Sequence, residues 1–284
     1  MFFYEEEGPM LAPLASLLSR SILSFLCFLV LALPGIATAS ASASTSPPTV
    51  NKEQAANALA GLAIPFEENR GQSDPQVAFQ AHTLAGPLFV TQDGALVWGL
   101  TPQHGKDFVG PPEPNWSLVE HFVNGKPKPV GESPSPTQIS RFHGNDQKQW
   151  QTGVSTYGQV SLGEVWPGVQ VRLNAHGKNA EKIFTLAPGV NADAIALEIA
   201  GGTLRLEDTG ALQVESADRS LMSFTAPIAW QEIDGERRPV QVAYQTSGEH
   251  HDRYGFALGS HDASHPVFID IHPPPGGSSW RVQR

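Results

Sequence analysis

Val169-Gln170-Val171-Arg172-Leu173-Asn174, followed across His176-Gly177-Lys178 by Lys182-Ile183-Phe184-Thr185-Leu186, decides the fold class. Val169, Val171 and Leu173 alternate with Gln170, Arg172 and Asn174, a period of two that gives an extended strand one apolar and one polar face. The glycine-centred break makes Lys182–Leu186 its hairpin partner. The same pattern recurs outward from there. Ile195, Leu197 and Ile199 alternate, as do Leu204, Leu206 and Leu212, Val214 about Asp208-Thr209-Gly210. Ile228–Ile233 and Pro239–Tyr244 flank Asp234-Gly235, and Tyr254–Leu258 and Val267–Ile271 complete the series. Upstream, Leu88–Thr91 and Ala95–Trp98 flank Gln92-Asp93-Gly94, and Ser117–Val123 ends at Asn124-Gly125. After residue 60 the chain shows no long 3.6-residue period and no repeat of propeller-blade or solenoid length. The expectation is an all-β fold, an antiparallel sandwich or barrel-like sheets, with one short N-terminal helix over Lys52–Leu59.

Composition agrees with a globular chain. Of 284 residues, 40% are hydrophobic and 16% charged, enough apolar side chain for a core. With 27 glycines and 24 prolines, turns should be frequent. The formal net charge is −10. Residues 1–39 carry three glutamates and one arginine, which leaves −8 on the rest. An acidic surface repels phosphate backbones, so nucleic acid is not an expected partner.

The first forty residues predict the compartment. Arg20 precedes the apolar run Ile22–Leu33, Pro34-Gly35 interrupts it, and Ala37-Thr38-Ala39 presents the small residues a signal peptidase reads. Residues 1–39 are therefore expected to be a secretory signal peptide cleaved after Ala39, with Ala41 and Ala43 as fallback sites. The run is shorter than the roughly 20 residues of a spanning helix, so no stable membrane span is expected after cleavage. Glu5-Glu6-Glu7 is unusual in a signal's first segment, which leaves Met1 and Met10 as alternative starts. The single cysteine, Cys27, lies inside the apolar run behind Leu26, a position that does not suit lipidation. The remaining chain then has no thiol for a disulfide, a zinc site or nucleophilic catalysis.

Residues 40–62 form a Ser/Ala/Pro-rich leader that includes the short helix, and residues 63–271 the β-rich domain. Two sub-halves could divide within the proline-rich stretch near 102–138, which holds one expected strand. Residues 272–284 lack alternation and are expected to be a disordered tail.

Five blocks carry a family resemblance: Phe66-Glu67-Glu68-Asn69-Arg70-Gly71-Gln72-Ser73-Asp74-Pro75-Gln76-Val77-Ala78-Phe79; Phe142-His143-Gly144-Asn145-Asp146 with Trp150, Val154–Tyr157 and Val165-Trp166-Pro167-Gly168-Val169; Ala187-Pro188-Gly189 with Ile195; Gln231-Glu232-Ile233-Asp234-Gly235-Glu236-Arg237-Arg238-Pro239-Val240; and Gly255-Phe256 with Pro266-Val267-Phe268-Ile269-Asp270. In this order, over residues 63–270, they resemble the uncharacterised domain at the N-terminus of bacterial cell-surface proteins that carry SBBP (seven-bladed β-propeller) repeats. The chain departs from that pattern after Asp270, where His272-Pro273-Pro274-Pro275 stands in place of the lead into a propeller. His261-Asp262 and His265-Pro266 replace the usual Tyr-Asp and Arg-Pro. The resemblance implies a secreted or surface-located module and carries no enzymatic activity with it. A truncated propeller protein and a stand-alone version both fit the end of the chain.

Several residue groups invite a chemical role. Glu67-Glu68-Asn69-Arg70 offers two carboxylates and a guanidinium, but neighbours on an extended segment point to opposite faces and cannot flank one bond. Asn69 and Arg70 are expected to bond nearby backbone instead. His250-His251-Asp252 and His261-Asp262 with His265 lack the helical spacing of zinc ligands and are expected to be exposed loop residues. Gly144-Asn145-Asp146 lacks the spaced acidic ligands of a calcium loop; a turn or helix cap at Asp146 with Trp150 closing over the core is expected. Trp98, Trp116, Trp150, Trp166 and Trp230 could stack on sugar rings, though at strand spacing a tryptophan usually fills a core. No nucleophile elbow, phosphate loop or dinucleotide fingerprint is present. Candidate ligand-binding residues are Glu68, Arg70, Trp150 and Trp166; no catalytic residue, metal ligand or cofactor is expected. The function expected is a non-enzymatic secreted or cell-surface module for adhesion, assembly or presentation of a partner domain. A carbohydrate-binding module, with surface polysaccharide as partner, is the alternative, and a hydrolase or metal enzyme the third reading.

Overall fold

The computed structural model describes residues 59, 61–100, 116–142, 144–147, 150–177, 179–216 and 219–271. The strands in chain order begin with β1 (Phe66–Glu68), β2 (Val77–Thr83), β3 (Gly86–Thr91), β4 (Leu96–Leu100), β5 (Trp116–Phe122) and β6 (Val130–Arg141). Next come β7 (Gln151–Trp166), β8 (Val169–His176), β9 (Asn179–Leu186), β10 (Leu197–Ala200), β11 (Thr203–Leu206) and β12 (Leu212–Ser216). The series closes with β13 (Arg219–Phe224), β14 (Ile228–Ile233), β15 (Glu236–Val240), β16 (Val242–Ser247), β17 (Arg253–Leu258) and β18 (Val267–Ile271). The 3₁₀ turn Ala192–Ala194 is capped by Asn191, whose side chain accepts from the Asp193 amide. The described part of the chain is thus all-β, as the alternation predicts.

Fifteen strands form one antiparallel sheet in the order β15-β14-β18-β9-β8-β7-β1-β2-β3-β4-β5-β10-β17-β16, with β6 hanging on β7. β11, β12 and β13 make a separate three-stranded sheet. The two ends of the long sheet, β15 and β16, are consecutive in the chain with Gln241 alone between them. Laid flat at about 4.8 Å per strand, those ends would stand about 60 Å apart, whereas one residue spans about 3.5 Å. The sheet therefore curls until its ends meet. They are joined there by chain rather than by a shared ladder, which makes a sandwich-like fold and not a closed barrel.

Inside the curl β9 faces β5 and β17: Phe184 packs edge-on against Phe256 at 5.3 Å, and Lys182 bonds Glu120 and Tyr254. Phe66, Leu88, Leu96, Leu118, Leu173, Leu186 and Ile269 are wholly buried in the same core. Each side chain of this size contributes roughly 1.5–3 kcal/mol by leaving water. Leu212, Val214, Leu221, Met222 and Phe224 carry that core into the smaller sheet, which docks through the Leu204 amide on the His251 carbonyl.

The expected hairpins form. β3–β4, β8–β9, β11–β12 and β14–β15 pair as the turn signals indicate. Asn124 and Asp234 take left-handed φ values of 55° and 56° at their turns, where a short polar side chain tolerates them. Two expectations are corrected. Pro239–Tyr244 is two strands, because the chain passes at Gln241 from β14's ladder to β17's. The proline-rich stretch holds β6 as well as β5. Pro134 and Pro136 fit because β6 pairs on one side only and its register shifts between Pro134 and Gln138. Of the helix expected over Lys52–Leu59 only Leu59 is described. The segments expected to be a signal peptide, most of the expected leader and the expected tail from 272 onward also lie outside the described residues.

Candidate functional site

The conspicuous chemistry of the described residues lies between the two faces of the curled sheet. Lys182 is in register with Leu173 on β8 and Ile271 on β18, both core positions. Glu120 is in register with Leu96 on β4 and Ile199 on β10, also core. Both charged side chains are completely buried. Lys182 Nζ donates to Glu120 Oε1 and to the Tyr254 hydroxyl at 2.7 Å, and that hydroxyl donates to the same Oε1. Nζ also sits 4.3 Å from the centroid of the Phe224 ring. Glu120 Oε2 is buried without a hydrogen-bond partner among the described residues. Burial pushes the Lys182 ammonium below its usual pKa, against the pull of Glu120. It drives the Tyr254 hydroxyl well above its usual value, with Glu120 adding to the effect. The arrangement can exchange a proton among three groups and hold an amine against a carboxyl group.

A second polar cluster is built on β1, where alternation turns Glu67 away from Phe66. Glu67 accepts from Arg141 on β6 at 2.5 and 3.3 Å and from Gln80 Nε2 at 3.1 Å, and Gln80 in turn accepts from Ser73. His82 Nε2 stands 3.9 Å from the same carboxylate.

The residues singled out in the sequence do not converge on one site. Glu68 and Arg70 do meet, at 3.0 Å, as a partly exposed ion pair, while Glu67 points to the other face. Asn69 bonds backbone as expected, donating to the Asp74 and Val77 carbonyls at 2.8 Å each and accepting from the Gly71 and Ser73 amides. Arg70 departs from expectation: its guanidinium goes to Glu68, because a two-residue separation on one face makes that carboxylate its nearest acceptor. Trp166 is buried in the core beside Phe122, its Nε1 donating to the Val123 carbonyl at 2.9 Å. Trp98 is buried too.

Trp150 does not close over the core. It is half-buried, bonds the Gly144 carbonyl and packs edge-on at 5.1 Å against the exposed Phe142, since it precedes β7 rather than lying within it. Trp230 stacks on Phe268 at 5.5 Å with the Arg237 guanidinium 4.7 Å above its ring. The side chain of Trp116 lies outside the description.

The histidines serve loops. His261 Nδ1 approaches the Gly259 carbonyl, and His265 Nδ1 approaches Asp262 at 3.2 Å. Ser264 holds the Asp262 carboxyl below its usual pKa. Buried Gln231 clamps this loop through the Asp262 amide and the Asp262 and His265 carbonyls. Among the described residues no group of three or more His, Cys, Asp or Glu converges as metal ligands would.

The sequence reading passed over Lys182, Glu120 and Tyr254. Their signal is phase: Lys182 shares parity with Phe184 and Leu186, and Glu120 with Leu118 and Phe122, so each charge stands in an apolar stripe.

No curated protein and no solved structure matches the chain. One family does, Domain of unknown function (DUF7948), over residues 66–270. That span runs from the first residue of β1 to the penultimate residue of β18 and includes Glu120, Lys182 and Tyr254, and the chain belongs to this family.

Proposed function

We propose that the domain is a non-enzymatic structural module of the cell exterior, serving adhesion, assembly or the presentation of a partner domain. The observation that carries this reading is the Lys182–Glu120–Tyr254 cluster. Its ionisable groups are spent on tying one face of the sheet to the other, inside the core, where no substrate reaches them. The secretory pattern of residues 20–39 and the resemblance to the N-terminal domain of SBBP-repeat surface proteins support the location. The acidic formal charge disfavours nucleic acid as partner. Fractionating cells that express the full chain with a C-terminal tag tests the reading. The protein is expected outside the cytoplasm with its N-terminus near Ser40; accumulation in the cytoplasm with residues 1–39 intact would overturn it.

Carbohydrate binding is the second reading, favoured by one observation. Trp230 and Phe268, both half-buried, place a stacked aromatic surface beside Arg237 on the outer face of β14 and β18. Screening the purified chain and Trp230→Ala against bacterial surface polysaccharides separates the two readings.

A further inference from the structure

We propose that Lys182 and Glu120 become covalently joined, the Lys182 amine condensing with the Glu120 side-chain carboxyl to form an isopeptide bond that staples β9 to β5. This inference does not depend on the functional reading above.

The two groups are already in place. Lys182 Nζ contacts Glu120 Oε1 directly, both side chains are fully buried, and their strands are not neighbours in the sheet. Holding two reactants in a fixed geometry is worth effective molarities of roughly 10⁵–10⁸ M, which lowers the barrier to condensation, and the fully buried site has no bulk water at hand to reverse it. The surroundings favour the neutral pair that can react. Phe224 covers Nζ, with Tyr254, Phe256 and Phe184 behind it, and burial lowers the pKa of Lys182. An ammonium has no lone pair for attack; a neutral amine has one.

The condensation also resolves an electrostatic oddity. Glu120 Oε2 is buried with no hydrogen-bond partner among the described residues, a costly position for a carboxylate oxygen. An amide carbonyl bears no formal charge and loses far less by burial.

Tyr254 supplies the proton path. Its hydroxyl accepts from Nζ and donates to Oε1, so it touches both reacting groups. One proton passes from the ammonium to the carboxylate through this hydroxyl, giving NH₂ and COOH. The Nζ lone pair then attacks Glu120 Cδ, forming the N–C bond and a tetrahedral centre. Tyr254 gives its proton to Oε1 and takes one from the nitrogen, and the Cδ–Oε1 bond breaks. Oε1 leaves as water with its two protons, and one hydrogen stays on the amide nitrogen. No oxidant, reductant or cofactor is needed.

Intact-mass measurement of the folded, purified full chain is the test, with the N-terminus read from the same sample. The expected mass is lower than the sequence mass by one water. Tryptic digestion should give a branched peptide joining Asp107–Arg141 to Asn179–Arg205, uncut after Lys182. A mass equal to the sequence, or a linear Asp107–Arg141 peptide together with cleavage after Lys182, would overturn the proposal without any variant. A water can also be lost by ring closure at Asp93-Gly94 or Asp234-Gly235, so Glu120→Leu and Lys182→Met are measured alongside. The deficit should vanish in both; a deficit that survives in either would overturn the proposal. Tyr254→Phe keeps the ring and removes the relay. It should give a partial deficit that grows over time, and a complete deficit on purification would overturn the role given to its hydroxyl.

Discussion

Lys182 and Glu120 grip each other from strands that share no ladder: β9 pairs with β8 and β18, and β5 with β4 and β10. The contact therefore crosses the core rather than running along a sheet. Removing one partner leaves a charge in an apolar interior, which typically costs about 3–5 kcal/mol. Lys182→Met and Glu120→Leu should each be destabilised by at least that much in urea unfolding, the loss of any covalent staple adding to it. The double variant should be more stable than either by several kcal/mol, because it buries two apolar groups and no lone charge. None of the three can carry a Lys–Glu bond, so the comparison isolates burial of the charge. A double variant no more stable than the singles would refute this account.

Alkaline pH should weaken the fold through two tyrosines. Burial lifts the hydroxyls of Tyr244 and Tyr254 well above their ordinary value of 10.0. Above that value the unfolded chain releases protons that the folded chain keeps, so stability falls as pH rises. A free Lys182 acts in the opposite sense, since its lowered pKa lets stability climb until the unfolded lysine titrates near 10.5. With two tyrosines against one lysine, urea midpoints should drop beyond about pH 10. Tyr244→Phe should blunt the drop and cost little at neutral pH, because that hydroxyl has no hydrogen-bond partner among the described residues.

Asn69 organises the turn from β1 to β2 with both ends of its amide. Asn69→Asp keeps the shape and the acceptor but loses every donated bond, and sets a charge against the Asp74 and Val77 carbonyls. A loss of about 1–3 kcal/mol is expected, with faster tryptic cleavage after Arg70. Unchanged stability and cleavage would show that the turn holds without the amide.

Gly255 has a close neighbour. A Cβ built there would lie 2.4 Å from the Ile195 carbonyl oxygen, a backbone atom that cannot swing aside. Gly255→Ala should cost about 1–3 kcal/mol and disturb the adjacent Tyr254 and Phe256. Near-ultraviolet circular dichroism would register the change.

The strands were legible where clean alternation ran between turn residues. β8 reads as alternation because Gln170 and Arg172 are exposed or half-exposed while Val169, Val171 and Leu173 are buried. β6 was hidden by its prolines, which mark an interruption in most strands but are tolerated on a strand paired on one side. The sixteen-residue β7 was hidden by Gly153, Gly158 and Gly163, which resemble turns; its register shifts near Gly163 instead. The Lys182–Glu120 pair escaped for another reason. Parity shows that each charge faces inward, but no local pattern tells which of the other strands it will meet. That depends on the curl of the whole sheet, a property of the strand order. Trp166 and Trp150 carry the same side chain and separated only in the structure, one inside a strand and one just before it.

β18 is the last of the described strands to be synthesised, yet it lies in the interior of the order, between β9 and β14. Until residues 267–271 are available, the β14–β15 hairpin has no ladder to join and β9 is bare on one side. A chain emerging N-terminus first from a ribosome consequently cannot finish this sheet part-way. Its completion is timed by the arrival of Val267–Ile271, which closes the ladders of β9 and β14 together.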